Sequence, residues 1–164
     1  MSTSPHSSTS HQQTGGQEPH NQADVQFANG MIPHHAKALR MSKTVLQRDD
    51  TRLTDFARQI EDAQRPEIET MKQWLTAWGE DIPDTAVDPM ESGQMDDLKQ
   101  RSGADFDTLW LKMMIEHHQT AIEMAQTQVA EGKAADAVAL AQQDIEDQQA
   151  EIQEMNHMTT ESHN

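Results

Sequence analysis

The amino-acid sequence predicts an all-α fold: a four-helix bundle made of two pseudo-symmetric helical hairpins joined by a long crossover. Two observations lead to this prediction. Apolar residues recur every three or four positions, the spacing of amphipathic helices, in four long segments of the chain. The chain also carries one two-part motif twice, about half its length apart. At 164 residues it has the size of a single domain.

Each copy of the motif contains a His-His pair that is followed, in the next helical segment, by a glutamate. Residues 31–41 (MIPHHAKALRM) return 83 positions later as residues 114–124 (MIEHHQTAIEM). Residues 64–71 (QRPEIETM) return 84 positions later as residues 148–155 (QQAEIQEM). Two copies of one helical hairpin predict a pseudo-two-fold axis through the bundle.

The first helix is expected over residues 24–48, where Met31 and Ala38 fall on one face at helical spacing. Pro33 interrupts this pattern, because an interior proline removes a backbone hydrogen bond and can kink a helix. We therefore expect either a kink at Pro33 or a helix that starts near Ile32, with Pro33 in its first turn.

The second helix is expected over residues 51–78, with a second proline, Pro66, in its interior and Gly79 as its C-terminal stop. A polar connector follows that is long for a helix–helix connection. A short helix is expected within this connector over residues 95–101, after a cap at Ser92.

The third helix is expected over residues 105–131, ended by Gly132, and the fourth over residues 134–158. Two antiparallel hairpins with a long crossover describe a ferritin-like bundle. The domain organisation predicted from these segments is a disordered polar segment over residues 1–22, a bundle domain over 23–158 with repeat halves at about 24–78 and 105–158, and a flexible tail over 159–164.

The composition excludes several classes of protein. The net charge of -16 argues against a nucleic-acid partner, which requires a basic face, and favours attraction of cations. The absence of cysteine rules out disulfides and thiolate metal sites. No apolar run approaches the roughly 20 residues of a membrane span, and the polar start lacks the apolar segment of a signal peptide. The 11 methionines supply thioethers, which fill cores and also bind Cu(I).

The repeated His-His pairs are candidate metal ligands. At about 100° per residue, His34 and His35 lie on either side of the inward-facing stripe that contains Met31, and Ala38 leaves room beside them. Packing alone does not require adjacent histidines in both copies, because buried imidazoles need partners. The full set of predicted metal ligands is His34, His35, His117, His118, Met31, Met41, Met114, Met124, Glu67 and Glu151.

A purely structural interpretation of the same residues remains open. Methionine at helical spacing is usually core filler, and a single histidine on an apolar face is usually hydrogen-bonded within the core. Glu67 and Glu151 would then bond across to the other half or project to solvent.

The doubled motif Met-Ile-x-His-His-x-x-Ala, together with the doubled Gln-x-x-Glu-Ile-x-x-Met, resembles the bacterial family labelled domain of unknown function 305. The resemblance covers residues 24–158. It implies a ferritin-like helical bundle and an exported or envelope-attached protein, and it implies copper binding because the family includes copper-binding members implicated in metal resistance. The family motif falls on Met31, His34, His35 and Met41, and again on Met114, His117, His118 and Met124.

These observations favour a non-catalytic copper-binding protein for sequestration or resistance, with imidazoles that accept Cu(I) and Cu(II) and thioethers that prefer Cu(I). An extracytoplasmic location is implied by the resemblance alone, since this chain shows no signal sequence. Two alternatives stay open. One is a ferritin-like dinuclear metal oxidoreductase, with iron or zinc as the alternative metal, although neither His-His pair carries the Glu-x-x-His of di-iron proteins, since Met31 and Met114 stand where its glutamate would be. The other is a structural bundle without metal. A homo-oligomer is compatible with the copper-binding function and with both alternatives.

Overall fold

The computed structural model describes residues 19–162, and in this range the chain forms five helices and no strand. The helices are α1 (Gln22–Leu46), α2 (Thr54–Ala77), α3 (Pro89–Lys99), α4 (Gly103–Glu131) and α5 (Ala135–Ser162). The four long helices form the bundle and α3 lies in the crossover. The predicted all-α, ferritin-like bundle is confirmed.

The termini differ from expectation in one respect. Helix α5 continues through residues 159–162, which the sequence assigned to a flexible tail, and residues 163–164 lie outside the described residues. Residues 1–18, most of the predicted disordered segment, also lie outside them.

The helix boundaries follow local capping chemistry. Asn21 begins α1 with a capping box, in which its side chain accepts from the Asp24 backbone N–H and the Asp24 carboxylate accepts from the Asn21 N–H. Gly79 ends α2, as predicted, with φ of 76°. The crossover helix begins at Pro89 rather than after Ser92, because the Asp88 side chain accepts from the Glu91 N–H and so caps it earlier.

The two interior prolines lie inside continuous helices. Helix α1 begins at Gln22 and runs through Pro33, so the expectation of a helix start near Ile32 is wrong. Helix α2 likewise runs through Pro66. Each proline removes a single hydrogen bond from a long helix that tertiary packing holds in place.

The long helices pair as two hairpins, α1 with α2 and α4 with α5, and the hairpins meet where α1 packs on α4. Two apolar clusters fill the interior. One contains Met41, Trp110 and Met114 and the other contains Met31 and Met71. Each cluster draws on all four long helices, so the bundle has an apolar core at each end.

Equivalent aspartates connect the two hairpins. Buried Asp24 on α1 accepts from the backbone N–H groups of Lys133 and Ala134, in the turn between α4 and α5. Buried Asp107 on α4 accepts from the Thr51 hydroxyl in the turn between α1 and α2. The pseudo-symmetry of the repeat therefore extends to the contacts that hold the halves together.

None of the helices within residues 19–162 is both long enough and apolar enough to cross a membrane.

Candidate metal centre

A layer of buried polar side chains separates the two apolar clusters at the middle of the bundle. We call it the central polar layer. Its members, all buried or partly buried, are His34, His35, Gln64, Glu67, His117, His118, Asp144, Gln148 and Glu151. A four-helix bundle places cofactor and metal sites at this position, where facing helices contribute inward-pointing side chains.

His34 and His117, which are equivalent in the repeat, stack on each other where α1 meets α4. Their ring centroids lie 3.6 Å apart and the ring planes are inclined by 18°. The Nε2–H of His117 donates to the backbone carbonyl of His34 at 2.8 Å. Its other ring nitrogen, Nδ1, therefore carries a lone pair. This contact places one histidine of each repeat half at the interface of α1 and α4.

The stacked histidines line a groove of about 210 Å³ at the bundle surface, which we call the histidine groove. The thioethers of Met41 and Met113 line the same groove. One edge is formed by the crossover helix, where the Lys37 ammonium donates to the Gln94 side-chain oxygen at 3.0 Å. The groove therefore brings two histidines and two methionines together at the surface end of the central polar layer.

The remaining two histidines form equivalent buried pairs with the two predicted glutamates. His35 Nε2–H donates to Glu67 Oε1 at 2.7 Å, and His118 Nε2–H donates to Glu151 Oε1 at 2.6 Å. Both imidazoles are fully buried, with no exposed surface. Each half thus pairs one histidine with its own glutamate.

Burial keeps the imidazoles of His34, His35 and His117 neutral. It lowers the pKa of His34 to about 3 and the pKa of His35 to about 4, and it lowers the pKa of His117 well below its usual value. For His34 and His117, the neighbouring imidazoles lower the pKa further. Neutral imidazole is the form that binds metal, so protons compete weakly for these nitrogens at neutral pH.

Asp144 is a member of the polar layer that sequence reasoning missed. Together with His35 and Glu67 it forms a group whose donor atoms all lie within 4.8 Å of one another. The pKa of Asp144 is raised to about 9, mainly by burial and secondly by the proton that it shares with Glu67. Burial also raises the pKa of Glu67. Asp144 falls within the predicted fourth helix, but its equivalent in the first half is Ile60. The doubled motif therefore gave no reason to predict Asp144 as a ligand.

The polar layer also holds most of the unpaired buried side-chain atoms in the described part of the chain. Of nine such atoms, seven lie in this layer: Nδ1 of His34, His35, His117 and His118, Oε1 of Gln64 and Gln148, and Oδ2 of Asp144. A buried acceptor without a partner costs about 1–3 kcal/mol. Seven unpaired polar atoms in one layer are well suited to cations or water as partners.

Three of the four predicted methionine ligands are not among the residues that line the histidine groove. Met31 and Met114 are fully buried in different apolar clusters. Met124 packs over Gly30, where a Cβ would lie 3.0 Å from its methyl carbon. Met41 lines the groove as predicted, and Met113, four residues before His117, is a groove residue that sequence reasoning missed.

Comparison with known families matches residues 24–159 to the family described as domain of unknown function, DUF305. The chain belongs to the DUF305 family. A shorter similarity, 43% identity over 53 residues, relates it to an uncharacterized protein of Acanthamoeba polyphaga mimivirus. That segment is 32% of this chain and 35% of the viral protein, so the match spans about a third of the relative's length.

Solved structures of DUF305 proteins and of CopM have the same fold. The Cu(I)-bound form of CopM is 30% identical, with a TM-score of 0.75 over 86% of this chain and 98% of CopM. The Cu(II)-bound form of CopM is 28% identical, with a TM-score of 0.75 over 84% and 96%. A DUF305 protein from Streptomyces coelicolor, provisionally classed as secreted, is 27% identical, with a TM-score of 0.75 over 85% and 92%.

Proposed function

We propose that this DUF305 protein is a non-catalytic copper-binding protein that sequesters copper outside the cytoplasm, and that the histidine groove is its copper site. The observation that carries the proposal is the shared groove of His34, His117, Met41 and Met113. Copper-bound relatives with the same fold support the choice of metal.

The donor chemistry of the groove favours copper over harder metals. Thioethers are soft ligands that suit Cu(I), and imidazoles accept both Cu(I) and Cu(II). His117 offers the lone pair of Nδ1 without losing its hydrogen bond to the main chain. Copper is the cargo in this proposal, so solvent access to the groove allows loading and release.

An extracytoplasmic location is part of the proposal and is supported by the Streptomyces coelicolor relative. The strongly acidic chain, with its net charge of -16, would concentrate cations near its surface wherever the protein resides.

The test is a Cu(I) competition titration against a chromophoric chelator, carried out without oxygen on the full chain. We expect the parent protein to take copper from the chelator, and His34→Ala with His117→Ala to lose this tight binding. The matched control is His157→Ala, since His157 is an exposed histidine on α5.

Equal Cu(I) affinity in the parent and the double-alanine variant would contradict the proposal. In that case the stacked pair would be a structural contact of the helix interface, as the alternative without metal requires. Parallel titrations of the parent and the double-alanine variant with Zn²⁺ and Fe²⁺ show whether the groove prefers copper, because only the affinity lost with His34 and His117 belongs to the groove. A larger loss of Zn²⁺ or Fe²⁺ affinity than of Cu(I) affinity would also contradict the proposal.

A further inference from the structure

The two halves of the bundle differ in chemistry at one position of the central polar layer. His35–Glu67 and His118–Glu151 are equivalent pairs, but a second carboxyl group, Asp144, lies beside the first pair. The residue equivalent to Asp144 in the other half is Ile60, which is fully buried in an apolar cluster. The additional carboxyl group therefore belongs to one half of the bundle and is not required by the repeated fold.

A buried carboxyl group at this position needs a physical reason. Asp144 is 2% exposed, and its Oδ2 has no hydrogen-bond partner. His35 is fully buried, and its Nδ1 also has no partner. Asp144 shares a proton with Glu67, so the cost falls on Oδ2. Isoleucine fills the equivalent space without this cost, so the aspartate weakens the core unless something binds the unpaired oxygen.

The three groups come from three helices and converge on one point. His35 lies on α1, Glu67 on α2 and Asp144 on α5, and one donor atom from each lies within 4.8 Å of the others. Ligands of a tetrahedral zinc ion at about 2.0–2.2 Å lie roughly 3.4 Å from one another.

The donor set differs from that of the histidine groove. It contains one imidazole and two carboxylates and no sulfur, which suits borderline divalent cations such as Zn²⁺, Fe²⁺ and Mn²⁺ and gives Cu(I) no thioether. Two carboxylates neutralise the charge of a divalent ion in a buried site, where an unpaired charge is costly.

An acidic surface connects this cluster to solvent. The Glu67 side chain is 16% exposed, so one ligand of the cluster reaches the protein surface. A groove lined by Asp147, Glu151 and Glu154 runs along α5 nearby, and Asp147 acts electrostatically on both Glu67 and Asp144. A cation therefore has a path of favourable potential to the buried donors.

We propose that His35, Glu67 and Asp144 form a second metal site, separate from the histidine groove, that binds a borderline divalent cation of the Zn²⁺ class. Three protein ligands leave one coordination position for water or for a neighbouring side chain. The site does not depend on copper binding at the groove.

The test uses Co²⁺ as a visible probe for zinc and the full chain with the groove first saturated with Ag⁺. Co²⁺ with four or five ligands absorbs visible light far more strongly than the hydrated ion, so a buried site gives a distinct band. We expect the parent protein to develop this band and to lose it when Zn²⁺ is added.

Two variants of Asp144 and one control assign the band. Asp144→Asn keeps the size of the side chain, Asp144→Ile reproduces the residue at the equivalent position 60, and both should lose the band. Glu146→Gln removes the same charge from an exposed position on α5 and should retain it. Circular dichroism shows that each variant is folded.

A band of equal strength in both Asp144 variants would overturn the proposal, as would its absence from the folded parent protein. A band that disappears when Ag⁺ fills the groove would overturn the separation of the two sites. The behaviour of the groove toward Cu(I) is measured independently, so failure of this second site leaves the copper proposal standing.

Discussion

Asp24 and Asp107 occupy equivalent positions in the two halves, and each carboxylate binds the turn of the opposite hairpin. Asp24 makes the more extensive set of contacts, because it accepts from Gln128 as well as from Lys133 and Ala134. These hydrogen bonds outweigh burial and hold the pKa of Asp24 below its usual value. The bundle is therefore joined by two reciprocal polar contacts as well as by its apolar clusters.

We predict that Asp24→Asn lowers the free energy of unfolding by about 3 kcal/mol, since the amide replaces an acceptor oxygen with a donor facing buried N–H groups. Urea denaturation followed by circular dichroism measures the loss. Asp136→Asn, at an exposed position in the first turn of α5, serves as the control and should cost at most about 0.5 kcal/mol. Similar losses in the two variants would show that the Asp24 contacts contribute little.

Two glycines with empty space around them should respond in opposite directions to alanine. Gly79 has a φ of 76°, which disfavours any side chain, so Gly79→Ala should lose about 1 kcal/mol. Gly93 lies inside α3 without a positive φ, so Gly93→Ala should gain about 0.5–1 kcal/mol from helix propensity. Paired denaturation curves test both. A gain for Gly79→Ala would mean that the end of α2 does not need the left-handed conformation.

The two groove methionines should determine the preference for Cu(I). Met41→Leu with Met113→Leu nearly preserves side-chain volume and should cost little stability. It should weaken Cu(I) binding more than Cu(II) binding, because only the soft thioether ligands are lost. Chelator competition with each oxidation state measures the two affinities.

Met31→Leu with Met114→Leu is the matched control for the groove variant. Both residues were predicted as ligands from the repeat, and neither is among the residues that line the histidine groove. We expect their Cu(I) affinity to remain at the parent value. If the control pair weakens Cu(I) binding and the groove pair does not, the ligands are those of the repeat and the groove assignment fails.

The metal-free protein should be most stable near pH 6.5. The pKa values of His34, His35 and His117 are lowered in the folded protein. As the pH falls below about 6.5, these three imidazoles therefore bind protons in the unfolded chain but not in the folded one. The free energy of unfolding consequently declines toward pH 4. The raised pKa of Asp144 acts in the opposite direction, because the folded chain keeps a proton that the unfolded chain has lost. Its stabilisation is complete below pH 3.8 and declines as the pH rises toward about 9. Below pH 6.5 the three histidines outweigh this one carboxyl group.

Urea denaturation at a series of pH values, with a chelator present, measures this profile. Asp144→Asn should retain the acidic decline and reduce the alkaline one, because the amide does not titrate. A profile that is flat between pH 4 and 6.5 would show that the imidazoles are not held neutral in the folded state. If the decline in stability above pH 6.5 is unchanged in Asp144→Asn, that decline arises from other groups.

Much of the fold was predictable because its signals are periodic. Four amphipathic segments and a doubled motif gave four long helices in two hairpins, and Gly79 marked the end of α2 correctly. The start of the crossover helix was placed too late, because Asp88 followed by Pro89 is a stronger cap than Ser92. Helix α1 passed through Pro33 because contacts along its whole length outweigh one missing hydrogen bond.

The candidate site was less predictable because the repeat was its main signal. Repetition singled out the histidines and glutamates, which lie in the central polar layer. It could not reveal Met113 and Asp144, whose equivalents are Gly30 and Ile60. Helical angles also placed Met31 and His34 on neighbouring faces without showing how far along the bundle each lies. The boundary between apolar cluster and polar layer depends on that axial position.

The crossover allows the two halves to carry different residues at equivalent positions, such as Ile60 and Asp144. Two identical hairpins assembled as a dimer would carry the same residue at positions 60 and 144, either two aspartates or two isoleucines. Two aspartates would put a second buried carboxyl group into the apolar cluster that holds Ile60, and two isoleucines would leave no additional carboxyl group. Since residues 78–102 link the hairpins in one chain, each half can vary on its own. A single mutation can therefore alter the candidate metal ligands of one half of the bundle and leave the equivalent residues of the other half unchanged.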